Sequence, residues 1–268
     1  MSKFTDSQYL KNDQYRDSSN LDARVVIHQR FSTNPYGWFR WVFDHLESSP
    51  ENARVLELGC GHALLWKENV ERIPIGWNVT LSDLSPGMLD AAWRNLVVTG
   101  RAFKFEEIDA ESIPYEEQSF DTVIANHMLY HLLDRLKALA EIKRVLKPGG
   151  CLFATTVGEG HMKEMNAWLS RVSEDSLSAV FRNLFLLENG AEQLQAFFDT
   201  VRMDRYSDNL EVTEIEPLIA YIRSSIPSAD IVDSELDRIR LELELELEHK
   251  GKIFISKDSG LFMAVKEE

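Results

Sequence analysis

The chain has 268 residues, 44% hydrophobic and 27% charged, the size and balance of one α/β domain with additions. Its formal net charge of −15 opposes phosphate backbones, and no cluster of Lys and Arg offsets that field, so a small-molecule partner is expected rather than a nucleic acid. No apolar run reaches the roughly 18–20 residues of a membrane span. The first twenty residues are polar, and Cys60 and Cys151 supply neither a disulfide framework nor a CxxC metal spacing, so the expected setting is the cytoplasm, with no membrane and no metal.

In chain order, the stretch 21–46 is rich in aromatics (Phe31, Tyr36, Trp38, Phe39, Trp41, Phe43) and predicts a helical lid or packing helix within a segment 1–50. RVLEL (54–58) predicts a buried strand ending at glycine, and 62–72 a helix. NVTLSD (78–83) is the second strand, with Ser85 as N-cap and Pro86 in the first turn of the next helix. Strands follow at 102–109 and 120–126. A helix spans 132–146, KPGG ends it, and CLFATTV (151–157) is the fifth strand. This alternation predicts a Rossmann-like, doubly wound, mostly parallel α/β sheet over 51–157. Residues 158–250 predict a mainly helical insertion, with Trp168, Leu169, Val172, Leu177 and Phe181 buried and a strand near 201–207. LELELELE (241–248) has the period of a strand, but Leu and Glu favour helix and its acids suit a solvated helical face, so helix is expected. At 251–268, two strands joined by Lys-Asp-Ser-Gly predict an antiparallel hairpin completing the sheet.

The chemistry concentrates at the predicted carboxyl ends of the strands. Gly59-Cys60-Gly61 gives a tight turn at which backbone can approach a ligand. Leu64 stands where a dinucleotide fingerprint requires its last glycine, which argues against a nicotinamide oxidoreductase. Asp83 ends the second strand, where a carboxylate can accept bonds from both hydroxyls of a ribose. Asp121 is expected to bond backbone at a strand start rather than to catalyse.

Over residues 51–157 the chain resembles the class I methyltransferases dependent on S-adenosyl-L-methionine (SAM). Their first motif is an acid, a spacer and G-x-G-x-G; Glu57, Gly59 and Gly61 match, and Ala63 replaces the third glycine. The resemblance implies SAM as cofactor. Gly59 and Gly61 would pack against its methionine part, Glu57 would help hold its amino group, Asp83 would take the ribose, Leu84 would flank the adenine, and Asp109 and Ala110 would meet the adenine edge. Asn126, at the fourth strand's end, would bind cofactor or substrate. NHMLYH (126–131) lacks the Asn-Pro-Pro-Tyr of nucleobase and glutamine N-methylation and is of the small-molecule type.

Methyl transfer is an in-line displacement by an O, N or C acceptor, and a base is required only if that acceptor has a proton to lose. His131 is the first candidate, with His127 and His161 behind it; each could instead be a histidine satisfying backbone carbonyls. Tyr9, Tyr15 and Arg24 are placed to close over the cofactor carboxylate. A SAM-binding regulatory protein without turnover would keep the same acids.

Overall fold

The computed structural model describes residues 5–172, 185–226 and 230–267. Helices α1 (Ser7–Tyr9), α2 (Ser19–Phe31) and α3 (Trp38–Leu46) precede the first strand, with a wider helical turn at Leu10–Gln14. Then come β1 (Arg54–Leu58), α4 (Leu64–Glu68), β2 (Asn78–Asp83), α5 (Pro86–Leu96), β3 (Lys104–Glu107), β4 (Phe120–Asn126), α6 (Arg135–Val145) and β5 (Leu146–Val157). The remainder holds α7 (Lys163–Val172), α8 (Gly190–Gln195), β6 (Thr200–Tyr206), β7 (Asn209–Val212), α9 (Ile215–Ser225), α10 (Asp233–Lys250), β8 (Ile253–Ser256) and β9 (Ser259–Val265).

The main sheet has the order β3-β2-β1-β4-β5-β9-β6; β1 to β5 are parallel, and β9 runs antiparallel to both β5 and β6. Its central strands are buried on both faces, and alternate residues feed two different cores. Leu56, Leu58, Val123, Ala125, Leu152 and Ala154 pack on the α6 side. Val55, Leu81, Ile124 and Phe153 pack on the side of α3 to α5. A third core joins α2, α7, α9 and α10 with β7 and β8. Among the described residues no helix is long and apolar enough to cross a membrane.

Several expectations need correction. The C-terminal strands do not form a hairpin: β8 pairs with β7 in a separate two-stranded sheet, while β9 inserts between β5 and β6. A two-residue hairpin turn requires positive φ at one or both central residues. Neither Lys257 nor Asp258 has it, so the chain passes from one sheet to the other instead of folding back. β9 is also almost wholly buried, which suits an interior strand, whereas β8 exposes Phe254. The helix expected at 62–72 shrinks to α4, because Asn69 donates its side-chain amide to the carbonyls of Leu65 and Phe39 and ends it. The third strand is limited to Lys104–Glu107.

In the segment expected to be mainly helical, β6 joins the main sheet and β7 the small one. Leu169 and Val172 are buried and Trp168 half-buried; Leu177 and Phe181 lie outside the described residues. LELELELE falls in α10, with Leu243 buried and Leu241 and Leu245 exposed. Asp121 accepts from the Arg54 N–H at 2.8 Å and from Lys147 Nζ at 2.8 Å, a structural role.

Candidate functional site

Strand order reverses between β1 and β4, and the crevice outside their carboxyl ends is where open α/β sheets bind ligands. Here it widens into a cavity of about 1200 Å³. Every site residue named from the sequence lines it: Glu57, Gly59, Gly61, Asp83, Leu84, Asp109, Ala110, Asn126, His127, His131 and His161.

The turn after β1 is built for close approach. Gly59 and Gly61 sit at φ +67° and +54°, and a β-carbon at Gly59 would stand 2.9 Å from the Met128 side chain. Gly61 N–H donates to Asp83 Oδ2 at 3.0 Å, and Ser85 N–H to Oδ1 at 2.9 Å. Asp83 therefore braces the turn while its remaining lone pairs stay available to a ligand. It is Ser85, not Asp83, that caps α5. Ala63, in the third glycine's place, is held at φ +60°, so the missing glycine shows as backbone strain.

Glu57 is almost fully buried. Its Oε2 accepts from Trp66 Nε1 at 2.5 Å and its Oε1 from Asn126 Nδ2 at 2.8 Å; Asn126 in turn accepts from Thr155 Oγ1. Burial dominates over those two bonds and lifts the carboxyl to about 7. Burial also raises Asp83, against its backbone hydrogen bonds. Asp109 is exposed at the cavity rim, where it accepts from the Glu111 N–H.

The N-terminal segment both packs and covers. Phe43 is buried against Trp66 and Trp77, and Phe31 is buried in the helical core. Tyr36 stays exposed, while Trp38 and Phe39 line the cavity and Trp41 stacks on Tyr206. Tyr15 reaches over the start of α5: Ser85 Oγ donates to its carbonyl at 2.6 Å. Next to it, the Arg16 carbonyl oxygen is only 1.9 Å from where a β-carbon on Gly87 would stand. Tyr15 also hydrogen-bonds His131 Nε2 at 3.2 Å, and the Arg24 guanidinium lies 5.4 Å above its ring. Arg24 Nε donates to the Asn20 carbonyl, but its Nη2 is buried without a hydrogen-bond partner, and Arg24 makes no salt bridge among the described residues.

The three candidate histidines have different settings. His127 follows β4 with φ +49°; its N–H bonds Thr155, and its ring lies against Trp38 at 5.2 Å. His161 Nδ1 accepts from the Asp258 N–H at 3.1 Å, which leaves the proton of the neutral ring on Nε2. Burial, aided by Lys257 and neighbouring imidazoles, lowers His127 to about 4 and His161 to about 3. Sequence reasoning did not single out His28, Trp66, Asp208, Tyr221 or Lys257, all but Trp66 on the cavity wall. No motif marks them, since each is brought in by tertiary packing.

Residues 56–154 match a family model described as a methyltransferase domain. The chain is 34% identical over 146 residues to a malonyl-[acyl-carrier protein] O-methyltransferase of Erwinia pyrifoliae, covering 54% of this chain and 53% of that one. It is 29% identical over 150 residues to a demethylmenaquinone methyltransferase of Clavibacter sepedonicus, covering 54% of this chain and 60% of the relative. It thus spans about half the length of the curated relatives it matches. Among solved structures, phosphoethanolamine N-methyltransferase 2 of Haemonchus contortus in complex with SAM superposes with a TM-score of 0.61 at 22% identity, covering all of this chain and 61% of that one. The [4+2]-cyclase SpnF also gives 0.61, at 20% identity and 97% coverage of both chains. The fold is shared across these chemistries, so the residues of the cavity must decide the reaction.

Proposed function

Starting from a chain that carries a methyltransferase domain of the class I, SAM-dependent type over residues 56–154, we propose that it transfers a methyl group from SAM to a small-molecule O, N or C acceptor. One observation carries the reading. A single cavity places two strand-tip carboxylates, Glu57 and Asp83, beside a positive-φ glycine turn, and is also lined by Arg24, whose Nη2 is buried without a hydrogen-bond partner. Those groups match a ligand that bears an ammonium, a ribose diol and a carboxylate. Glu57 would take the ammonium, Asp83 the diol and Arg24 the carboxylate, while Leu84, Asp109 and Ala110 border the adenine. SAM, when bound, supplies a methyl group on an electrophilic sulfonium.

This chain's own contribution is to hold the acceptor in line and to exclude water, which Trp38, Phe39 and the Tyr15 strap do from the N-terminal side. Where the acceptor has a proton to lose, the Tyr15–His131 pair is the relay. His127 and His161 are held neutral at values too low to make them effective bases near pH 7. The setting would be the cytoplasm and the partner a small molecule.

Calorimetry on dialysed protein tests the cofactor: SAM should bind saturably and NADH should not. Methyl transfer from isotopically labelled SAM into a small-molecule extract, read by mass spectrometry, tests the reaction. Failure to bind SAM overturns the reading. Binding without turnover on any acceptor would instead make the chain a SAM-responsive regulator.

A further inference from the structure

Groups from four separate chain segments line the cavity wall and influence one another electrostatically: His28 of α2, His127 after β4, His161 after β5 and Lys257 between β8 and β9. The side chain of Lys257 is 7% exposed and its ion-pair partner Asp208 1% exposed. A charge so buried persists only when paired, and Asp208 is held by much more than the lysine. Its Oδ1 accepts from Ser32 Oγ, Thr33 Oγ1 and the backbone N–H groups of Asn34 and Asn209, which leaves Oδ2 for Lys257. The carboxylate is anchored by its own loop and aims the lysine. An ammonium has three donors, and Asp208 is the described acceptor for one of them.

His161 adds a donor beside the lysine. His161 spends its Nδ1 lone pair on the Asp258 N–H and Ser259 hydroxyl, so its ring can offer only an Nε2–H. His28 Nδ1 is buried with no hydrogen-bond partner. An ion-paired ammonium with two further N–H donors, beside an imidazole N–H, is complementary to negative oxygen.

We infer that this wall is the acceptor subsite and that the acceptor carries an anionic oxygen group, a carboxylate or a phosphate, seated by Lys257 and the Nε2–H of His161. Asp208 is a positioning residue for the lysine. The inference rests on the methyltransferase reading only for the word acceptor; the anion site itself stands on the geometry of the wall.

The test is calorimetry with two matched pairs, benzoate against benzamide and phenyl phosphate against phenol, on the free protein and on protein saturated with S-adenosylhomocysteine. At least one anion should bind ten-fold or more tighter than its neutral partner, and which pair shows it distinguishes carboxylate from phosphate. Lys257→Met should bring that ratio to about one without changing S-adenosylhomocysteine affinity. Because that variant leaves Asp208 buried and unpaired, Lys257→Met with Asp208→Asn is the companion, and circular dichroism checks that it folds. Equal binding of anion and neutral partner, failure of both anions to saturate, or a preference that survives in the folded double variant would overturn the inference. If S-adenosylhomocysteine fails to bind while the anion preference holds, the methyltransferase reading falls and the anion site does not.

Discussion

Three acids of the cavity, Glu57, Asp83 and Asp109, each stand at or just past the end of a neighbouring parallel strand. The same cavity is lined by the basic groups His28, His127, His161 and Lys257, drawn from a helix near the start of the chain, two strand-end loops and the C-terminal segment. Burial acts on both sets, but with opposite consequences. It raises the Glu57 and Asp83 carboxyls and lowers the His28, His127 and His161 imidazoles, in each case opposing the charged form. Under the proposed reading, the acids serve the cationic cofactor and the basic groups a second ligand.

The contrast is sharpest in acid. The folded-state values of His127 and His161 lie below the unfolded 6.5, so their contribution is fully present above pH 6.5 and is lost as pH falls toward 4 and 3. At about 1.4 kcal/mol per unit, stability should drop by on the order of several kcal/mol between pH 6.5 and 4. Urea unfolding of the wild type and of His127→Gln/His161→Gln across that range measures it. A flat difference between the two proteins would mean that these imidazoles are solvated.

Glu57 should act in the reverse direction. Its folded value of about 7 exceeds the unfolded 4.5, so its contribution is complete below pH 4.5 and is lost as pH rises through 7, by roughly 3 kcal/mol. Glu57→Gln, which keeps the shape and removes the titration, should abolish that slope in the same urea experiment. Binding of a ligand ammonium beside Glu57 should also release a proton near pH 7, visible as a buffer-dependent enthalpy in calorimetry and absent in Glu57→Gln.

Smaller in energy is the loss of a ligand bond at Asp83. Asp83→Asn should weaken SAM about 10- to 100-fold, as expected for removing charge-assisted hydrogen bonds. Unchanged affinity would take Asp83 out of the site. The smallest effect belongs to the turn: Ala63→Gly should relieve the φ +60° strain and raise stability by about 1 kcal/mol, read as a higher Tm.

The acids were legible in the sequence because a parallel α/β sheet ties ligand-binding residues to strand ends. Once RVLEL, NVTLSD and FDTVIAN are recognised as strands, Glu57, Asp83 and Asn126 must lie together. The basic groups were only half legible: His127 and His161 follow strands of the parallel sheet, but His28 lies within a helix and Lys257 follows β8 of the separate two-stranded sheet. Lys257 was read as a hairpin turn residue and became a wall residue because the chain crosses between sheets there.

What the sequence determined by itself is the order of strands and helices through β5, the glycine turn and the register of acids at the strand tips. These follow from local periodicity and steric rules acting over a few residues. Tertiary structure decided where β9 sits, which buried donors face one another and which charges are left without a partner. Such choices depend on packing between segments far apart in the chain, and on a low-dielectric environment that exists only once they have packed.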